Sequence, residues 1–190
     1  QESFAPMYPD CGDEWIDEEV PPKPVRYNRS TLDAELSAAR STHAGGAGVV
    51  LRFAAFYGPD ASHVPDLIKM AKRGMAPLPG PAEAFFSSIW LDDAASAVVA
   101  ALGVPAGIYN VAENDPVRRR EFADVVAAGL GVPRPRMQPA WVTKVMGSAG
   151  ELFSRSVRIS NRKLREASGW TPRYPSIREG WPATLAGMKN

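Results

Sequence analysis

The sequence predicts an α/β fold with a parallel sheet, and three observations carry that prediction. "GVVLRFAAFYGP" at 48–59 is a continuous apolar run closed by Gly-Pro, the pattern of a strand buried on both faces. "GIYNVA" at 107–112 is a second, shorter run of the same kind. Segments of helical character lie before, between and after them, and strands alternating with helices are the signature of α/β architecture.

Taken in order, residues 1–26 are rich in proline and acid ("MYPDCGDEWIDEEVPPKP") and read as a long surface loop leading from a strand that ends near the start. Residues 27–43 carry helix formers with Leu32, Leu36 and Ala39 as the apolar or small positions, and "HAGGAG" supplies the stop. Helices are expected over 64–73 and 92–102. "DPVRRREFADVVAAGLG" reads as a helix with proline in its first turn and glycine at its end. Beyond Pro133 the chain becomes short, proline-interrupted pieces, helical near 139–153 and 161–168, which suggests a smaller irregular lobe. The expected division is a core over 1–132, with 60–92 contributing to the lobe, and the lobe proper over 133–190. No internal repeat is visible.

Composition narrows the function. The chain has 190 residues, 45% hydrophobic and 23% charged, the profile of a soluble globular protein. Its 22 basic and 21 acidic residues are spread without long blocks and leave a formal charge of +1, which argues against nucleic acid or an anionic membrane as partner. The single cysteine, Cys11, excludes an internal disulfide and a cysteine-rich metal site and fits a reducing compartment. No apolar run approaches membrane-spanning length, so a cytoplasmic location is expected. The first residue is Gln1 and not Met, so an upstream segment is expected.

Several pieces, in this order, resemble the carboxy-terminal part of an extended short-chain dehydrogenase/reductase, the NAD-dependent epimerase/dehydratase family that acts on nucleotide sugars. "ESFAPMY" is similar to the end of the family's fifth strand, and "PVRYNRSTLDAE" to its helix of the form P-x-x-Y-x-x-x-K-x-x-x-E. "LRFAAFYGPDA" resembles the next strand with its Tyr-Gly-Pro turn, "FFSSIWLDDAASAVVAAL" the segment that follows, and "GIYNVAENDPVRRREFADVVAAGLG" the Tyr-Asn-Val strand with its helix. "RISNRKLREASGWTPRYPSIREGW" is similar to the family's closing signature. The resemblance implies a Rossmann-type doubly wound parallel sheet, represented by its carboxy-terminal part, plus a small mixed α/β substrate lobe. It implies NAD or NADP as cofactor, a small-molecule substrate such as a nucleotide sugar, epimerase (isomerase) or oxidoreductase chemistry, and allows a homodimer.

The same resemblance places Ser3 near the catalytic hydroxyl, Tyr27 on the catalytic tyrosine and Glu35 on the acid of the helix. Tyr57, Arg155 and Arg158 fall to the substrate, because family members use an arginine near 155–158 on a diphosphate and a guanidinium fork suits phosphate oxygens. Tyr27 and Thr31 fall to the cofactor. Two departures matter. No glycine-rich turn joining a strand to a helix is present, and "GGAG" at 45–48 precedes a strand, so the chain alone is expected to bind NAD(P) weakly or not at all. The cofactor-binding half is expected before Gln1 and should pack against a sheet of which two strands, and the end of a third at about Ser3, remain here; the apolar faces of helices 27–43 and 120–130 would lie open to it.

The second departure is Thr31, which stands where the family has lysine. That lysine holds the nicotinamide ribose and favours the phenolate, drawing a tyrosine pKa of about 10 toward neutrality. Threonine cannot; Arg26, Arg29 and Lys23 are the charges nearest in sequence. Tyr27 therefore reads either as an acid/base or as an ordinary tyrosine at a helix start, and Ser3 either as a catalytic group or as a loop hydroxyl. Asp92 and Asp93 read as helix-start caps ahead of paired carboxylates, His43 and His63 as surface residues, and "RRR" at 118–120 as a solvated face ahead of an anion site. Trp141, Trp170 and Trp181 read as packing residues of the lobe. Two functions follow: an NAD(P)-dependent enzyme, with Ser3 polarising a carbonyl, Tyr27 as acid/base and arginines on phosphate, or a non-redox nucleotide- or partner-binding protein derived from the same family.

Overall fold

The computed structural model describes residues 1–139 and 141–188; the side chain of Tyr27 also lies outside the described residues. In chain order the first elements are β1 (Glu2–Phe4), β2 (Trp15–Ile16), a 3-10 turn (Arg26–Asn28), α1 (Ser30–His43), β3 (Val49–Phe53) and β4 (Ala55–Tyr57). Then come α2 (Val64–Lys72), β5 (Phe85–Phe86), β6 (Ser88–Trp90), α3 (Leu91–Ala101), β7 (Gly107–Val111), β8 (Val117–Arg118) and α4 (Arg119–Leu130). The rest is α5 (Trp141–Val145), α6 (Gly147–Ser154), β9 (Arg158–Ile159), α7 (Arg162–Ser168) and α8 (Ile177–Gly187).

The main sheet is parallel, in the order β1-β3-β7, with Leu51 opposite both Glu2 and Tyr109. Strand alternation sorts the side chains of β3. Leu51 and Phe53 join a buried cluster with Ala94, Ala97 and Ala101 of α3 and Leu164 of α7, while Arg52 turns the other way, to Glu35 of α1. Helices thus cover both faces, the arrangement a doubly wound sheet requires. β3 is paired on both sides by strands of this chain, and β1 and β7 are the two edges of the sheet among the described residues. Among the described residues no helix is long and apolar enough to cross a membrane.

Several boundaries differ from the sequence reading. "GVVLRFAAFYGP" is not one strand: at Ala54 the chain leaves β1 and β7, and β4 pairs with β6 in a separate two-stranded ladder. Tyr27 does not sit in the helix; it lies in the 3-10 turn, and α1 begins at Ser30. Leu36 of that helix is 57% exposed and Ala39 is exposed, while Glu35 and Ala38 are buried, because an ion pair and not an apolar stripe sets which face turns inward. Pro116 precedes β8 instead of opening α4, and α8, with Pro182 inside it, was not expected.

The 1–26 segment is tied down more firmly than a surface loop. β2 pairs with β9, the amide of Lys23 donates to the carbonyl of Met7, and the amide of Asn110 donates to Glu18. A second apolar cluster joins Tyr57, Leu67 of α2, Phe122 and Val126 of α4, and Ile177 and Trp181 of α8. Of the three tryptophans read as packing residues, Trp170 and Trp181 are buried, whereas Trp141 is 61% exposed because α5 is a short surface helix. Asp93 does cap amides, but those of Arg173 and Tyr174, at 2.8 and 3.1 Å, so it fastens the tail to α3. His43 and His63 are on the surface. "RRR" is not a solvated face: Arg119 is buried.

Candidate functional site

In a parallel sheet, ligands bind beyond the carboxyl ends of the strands. There, at the ends of β1 and β3, a groove of about 330 Å³ is lined by Gln1, Glu2, Ser3, Phe4, Ser30, Thr31, Ala34, Phe53 and Phe56. Ser3 and Thr31 both line it. Tyr27 enters through the turn just before α1, its side chain outside the described residues. The lining holds no lysine or arginine, and Arg26 and Arg29 are exposed.

Beneath the groove lies a continuous buried polar chain. Ser3 Oγ donates to Glu35 Oε1 at 2.5 Å. Arg52 takes the same carboxylate with two nitrogens, Nε to Oε1 at 2.8 Å and Nη2 to Oε2 at 2.7 Å. Arg52 Nη1 donates to Tyr8 Oη at 2.8 Å, and Tyr8 Oη donates to Asn110 Oδ1 at 2.9 Å. Burial pushes the Tyr8 phenol up, only partly opposed by Arg52. Burial alone would pull the Arg52 guanidinium down, yet Glu35 and Tyr8 hold it above its usual range. Ser3 is thus a 5% exposed hydroxyl whose proton is committed to a carboxylate; toward the groove its oxygen offers lone pairs.

The other predicted residues are placed elsewhere. Tyr57 is buried and donates to Glu113 Oε1 at 2.5 Å, while Ser88 Oγ donates to Glu113 Oε2 at 2.8 Å. Burial raises the Glu113 carboxyl to about 7; the Tyr57 and Ser88 hydroxyls pull it down, and Glu179 and Asp93 add to the rise. Arg155 is buried, with Nη1 donating to the carbonyls of Tyr8 and Lys23 and Nη2 to Glu151. Arg158 lies between Trp15 and Phe85, 4.1 and 4.6 Å from the ring centres. Sequence reasoning passed over Tyr8, Arg52, Asn110 and Glu113. One signal was available: an arginine in the middle of an apolar strand requires a buried acceptor.

Solved structures with the same arrangement include a functionally unknown conserved protein from Silicibacter pomeroyi DSS, 25% identical, with a TM-score of 0.79 over 100% of this chain and 66% of that one. The human epimerase family protein SDR39U1, solved with NADPH, is 18% identical, with a TM-score of 0.84 over 100% of this chain and 64% of that one. The chain has the fold of the extended short-chain dehydrogenase/reductases. Among curated proteins, this dehydrogenase/reductase-like chain is 30% identical over 181 residues to a 3-diazoavenalumate denitrifying reductase from a Streptomyces species, covering 93% of this chain and 56% of that protein. It therefore spans a little over half the length of that relative. No family model matches it.

Proposed function

We propose that this chain is the substrate-side part of an NAD(P)-dependent reductase whose hydride acceptor is a small organic molecule, reduced without an obligatory proton from a Tyr-Lys pair. The observation that supports it most is the groove itself. Thr31 stands where the resemblance expects lysine, no lysine or arginine side chain lines the groove among the described residues, and the Ser3 proton is committed to Glu35. A carbonyl reduction or a sugar epimerisation needs a proton delivered to, or taken from, an oxygen. Replacement of an arenediazonium group by hydride does not: the new C–H bond forms with the hydride pair, and the C–N bond breaks as neutral dinitrogen leaves with its own pair. The relative whose name describes a denitrifying reduction of a diazo compound supports that class.

The lining fits the nicotinamide end of a dinucleotide. Phe4, Phe53 and Phe56 offer flat apolar surface, and Ser30 and Thr31 offer hydroxyls within reach of polar substituents. It does not fit a pyrophosphate, which an upstream glycine-rich turn is proposed to hold, on a half packed along β1. When bound, the nicotinamide supplies the hydride; this chain's residues orient the acceptor, exclude water with the phenylalanines and, at Ser3, accept a hydrogen bond. A nucleotide-sugar substrate has less support, because Arg155 is already engaged by Tyr8, Lys23 and Glu151.

The test is NADPH oxidation by the intact protein with an arenediazonium salt or a simple aromatic aldehyde as acceptor. Conversion of UDP-glucose is followed separately, in the presence of NAD, by analysis of the sugar product, because that reaction consumes no net NADPH. Turnover of the diazonium salt with release of dinitrogen is expected. Turnover confined to UDP-glucose would reinstate the epimerase/dehydratase reading, and nucleotide binding without turnover of any acceptor would favour the non-redox binding protein.

A further inference from the structure

Trp15, the first residue of β2, is 46% exposed, although tryptophan is on average among the well-covered side chains. Arg158 of β9 stacks on its ring, 4.1 Å from the centre. The indole borders a cavity of about 320 Å³, a size that suits a small molecule. Asp17, Ser160 and Asn161 also line it, with Arg162 and Arg165 of α7. None of these residues lines the groove beside Ser3, so the two hollows are separate.

The polar groups of this cavity are only partly engaged. Asn161 is 4% exposed, and its Nδ2 donates to the carbonyl of Ala112 at 2.7 Å and to Asn114 Oδ1 at 2.8 Å. A backbone carbonyl can only accept, which fixes the orientation of the Asn161 amide and leaves Oδ1 over. No donor meets that oxygen among the described residues. Arg165 has no side-chain hydrogen bond or ion pair among those residues, and Arg162 reaches only Glu166, at 3.9 Å. The ordinary explanation is that Trp15 is a platform for Arg158 and the two arginines are the solvated face of α7. That accounts for the charges and for one face of the indole. It leaves unexplained why a side chain as buried as Asn161 keeps an unmet acceptor on the wall of a cavity.

We propose that this cavity is a second ligand site, for a small aromatic monocarboxylate that carries a hydroxyl or amino donor on its ring. The ring lies against Trp15, the carboxylate takes the free N–H groups of Arg162 and Arg165, and the ring donor goes to Asn161 Oδ1. Two arginines against Asp17 leave the lining with one positive charge, which suits a monoanion better than a phosphate dianion. Arg158, held between Trp15 and Phe85, is not one of the gripping groups. The site is independent of the hydride-transfer reading, since its occupancy is measured without turnover.

The experiment is calorimetric titration of the intact protein, at constant ionic strength, with 3- and 4-hydroxybenzoate, with benzoate and with the matching hydroxybenzamides. Saturable binding of at least one hydroxybenzoate is expected. Benzoate, which lacks the ring donor, should bind several-fold more weakly, and the uncharged amide about tenfold or more, the loss of charge-assisted bonds. Arg162→Gln combined with Arg165→Gln should weaken hydroxybenzoate by about tenfold or more, and so should Trp15→Leu. Lys69→Gln combined with Lys144→Gln removes the same charge from exposed positions elsewhere and should leave binding unchanged. If Trp15→Leu fails to fold, the arginine pair and the ligand series still decide. Absence of saturable binding of both hydroxybenzoates to the unaltered protein overturns the proposal. So does benzoate binding as tightly as either, equal binding by the folded arginine pair variant, or an equal loss in the lysine pair variant.

Discussion

Arg52 and Glu35 meet through two parallel hydrogen bonds, at 2.8 and 2.7 Å, with both side chains buried. The pair joins the centre of the sheet to α1, and Ser3 and Tyr8 attach to its two ends. It therefore fixes both the position of α1 and the orientation of the groove hydroxyl.

Glu35→Gln should destabilise the protein by about 3–5 kcal/mol, because it leaves the Arg52 charge buried without its counter-ion. Urea unfolding of the intact protein, compared with Leu36→Gln on the exposed face of the same helix, checks it. Equal midpoints for the two variants would remove the pair from its structural role.

Stability should depend on pH through Glu113. Its folded pKa is raised from 4.5 to about 7, so the folded state holds the proton more tightly than the unfolded chain. The group imposes no penalty below about pH 4.5; the penalty grows as pH rises through the window and is complete above about pH 7, on the order of 3 kcal/mol. Glu113→Gln should flatten this slope, seen as urea midpoints at pH 5 and pH 8 that lie closer together than in the unaltered protein.

Gly180→Ala should be strongly destabilising although it adds one methyl group on a helix. A Cβ at that position would lie 1.9 Å from Tyr57 Oη, and Tyr57 is held from its other side by Glu113. The expected loss is about 1–3 kcal/mol or more, the cost of overpacking. A melting temperature within a degree or two of the unaltered protein would show that α8 shifts freely.

Tyr27→Phe separates the two readings of that residue. If Tyr27 were the proton donor, its loss should cost about 10²–10⁴ in rate, and Thr31→Lys should move the pH-rate profile toward neutrality. On the reading proposed above, hydride transfer to a diazonium acceptor falls by less than about tenfold in Tyr27→Phe. Steady-state NADPH consumption by the intact protein measures both.

The sequence by itself determined the α/β class, the two buried parallel strands and the order of strands and helices along the chain. Those features rest on local periodicity and on glycine and proline punctuation, and β3 and β7 lie where the apolar runs placed them. It also put a threonine, Thr31, where the resemblance expects lysine. Tertiary structure alone decided what the polar residues do. Ser3 and Glu35 are 32 positions apart, Tyr8 and Asn110 are 102 apart, and Arg155 meets Tyr8 across 147; no local pattern encodes such partnerships. The break at Ala54 was equally hidden, because an apolar run does not say which neighbour each of its halves will pair with. Arg119 and Arg120 look alike in the chain, and only the packing of α4 against the 80–86 and 153–156 segments buries one and leaves the other half-buried, since burial belongs to a surface made by several segments at once.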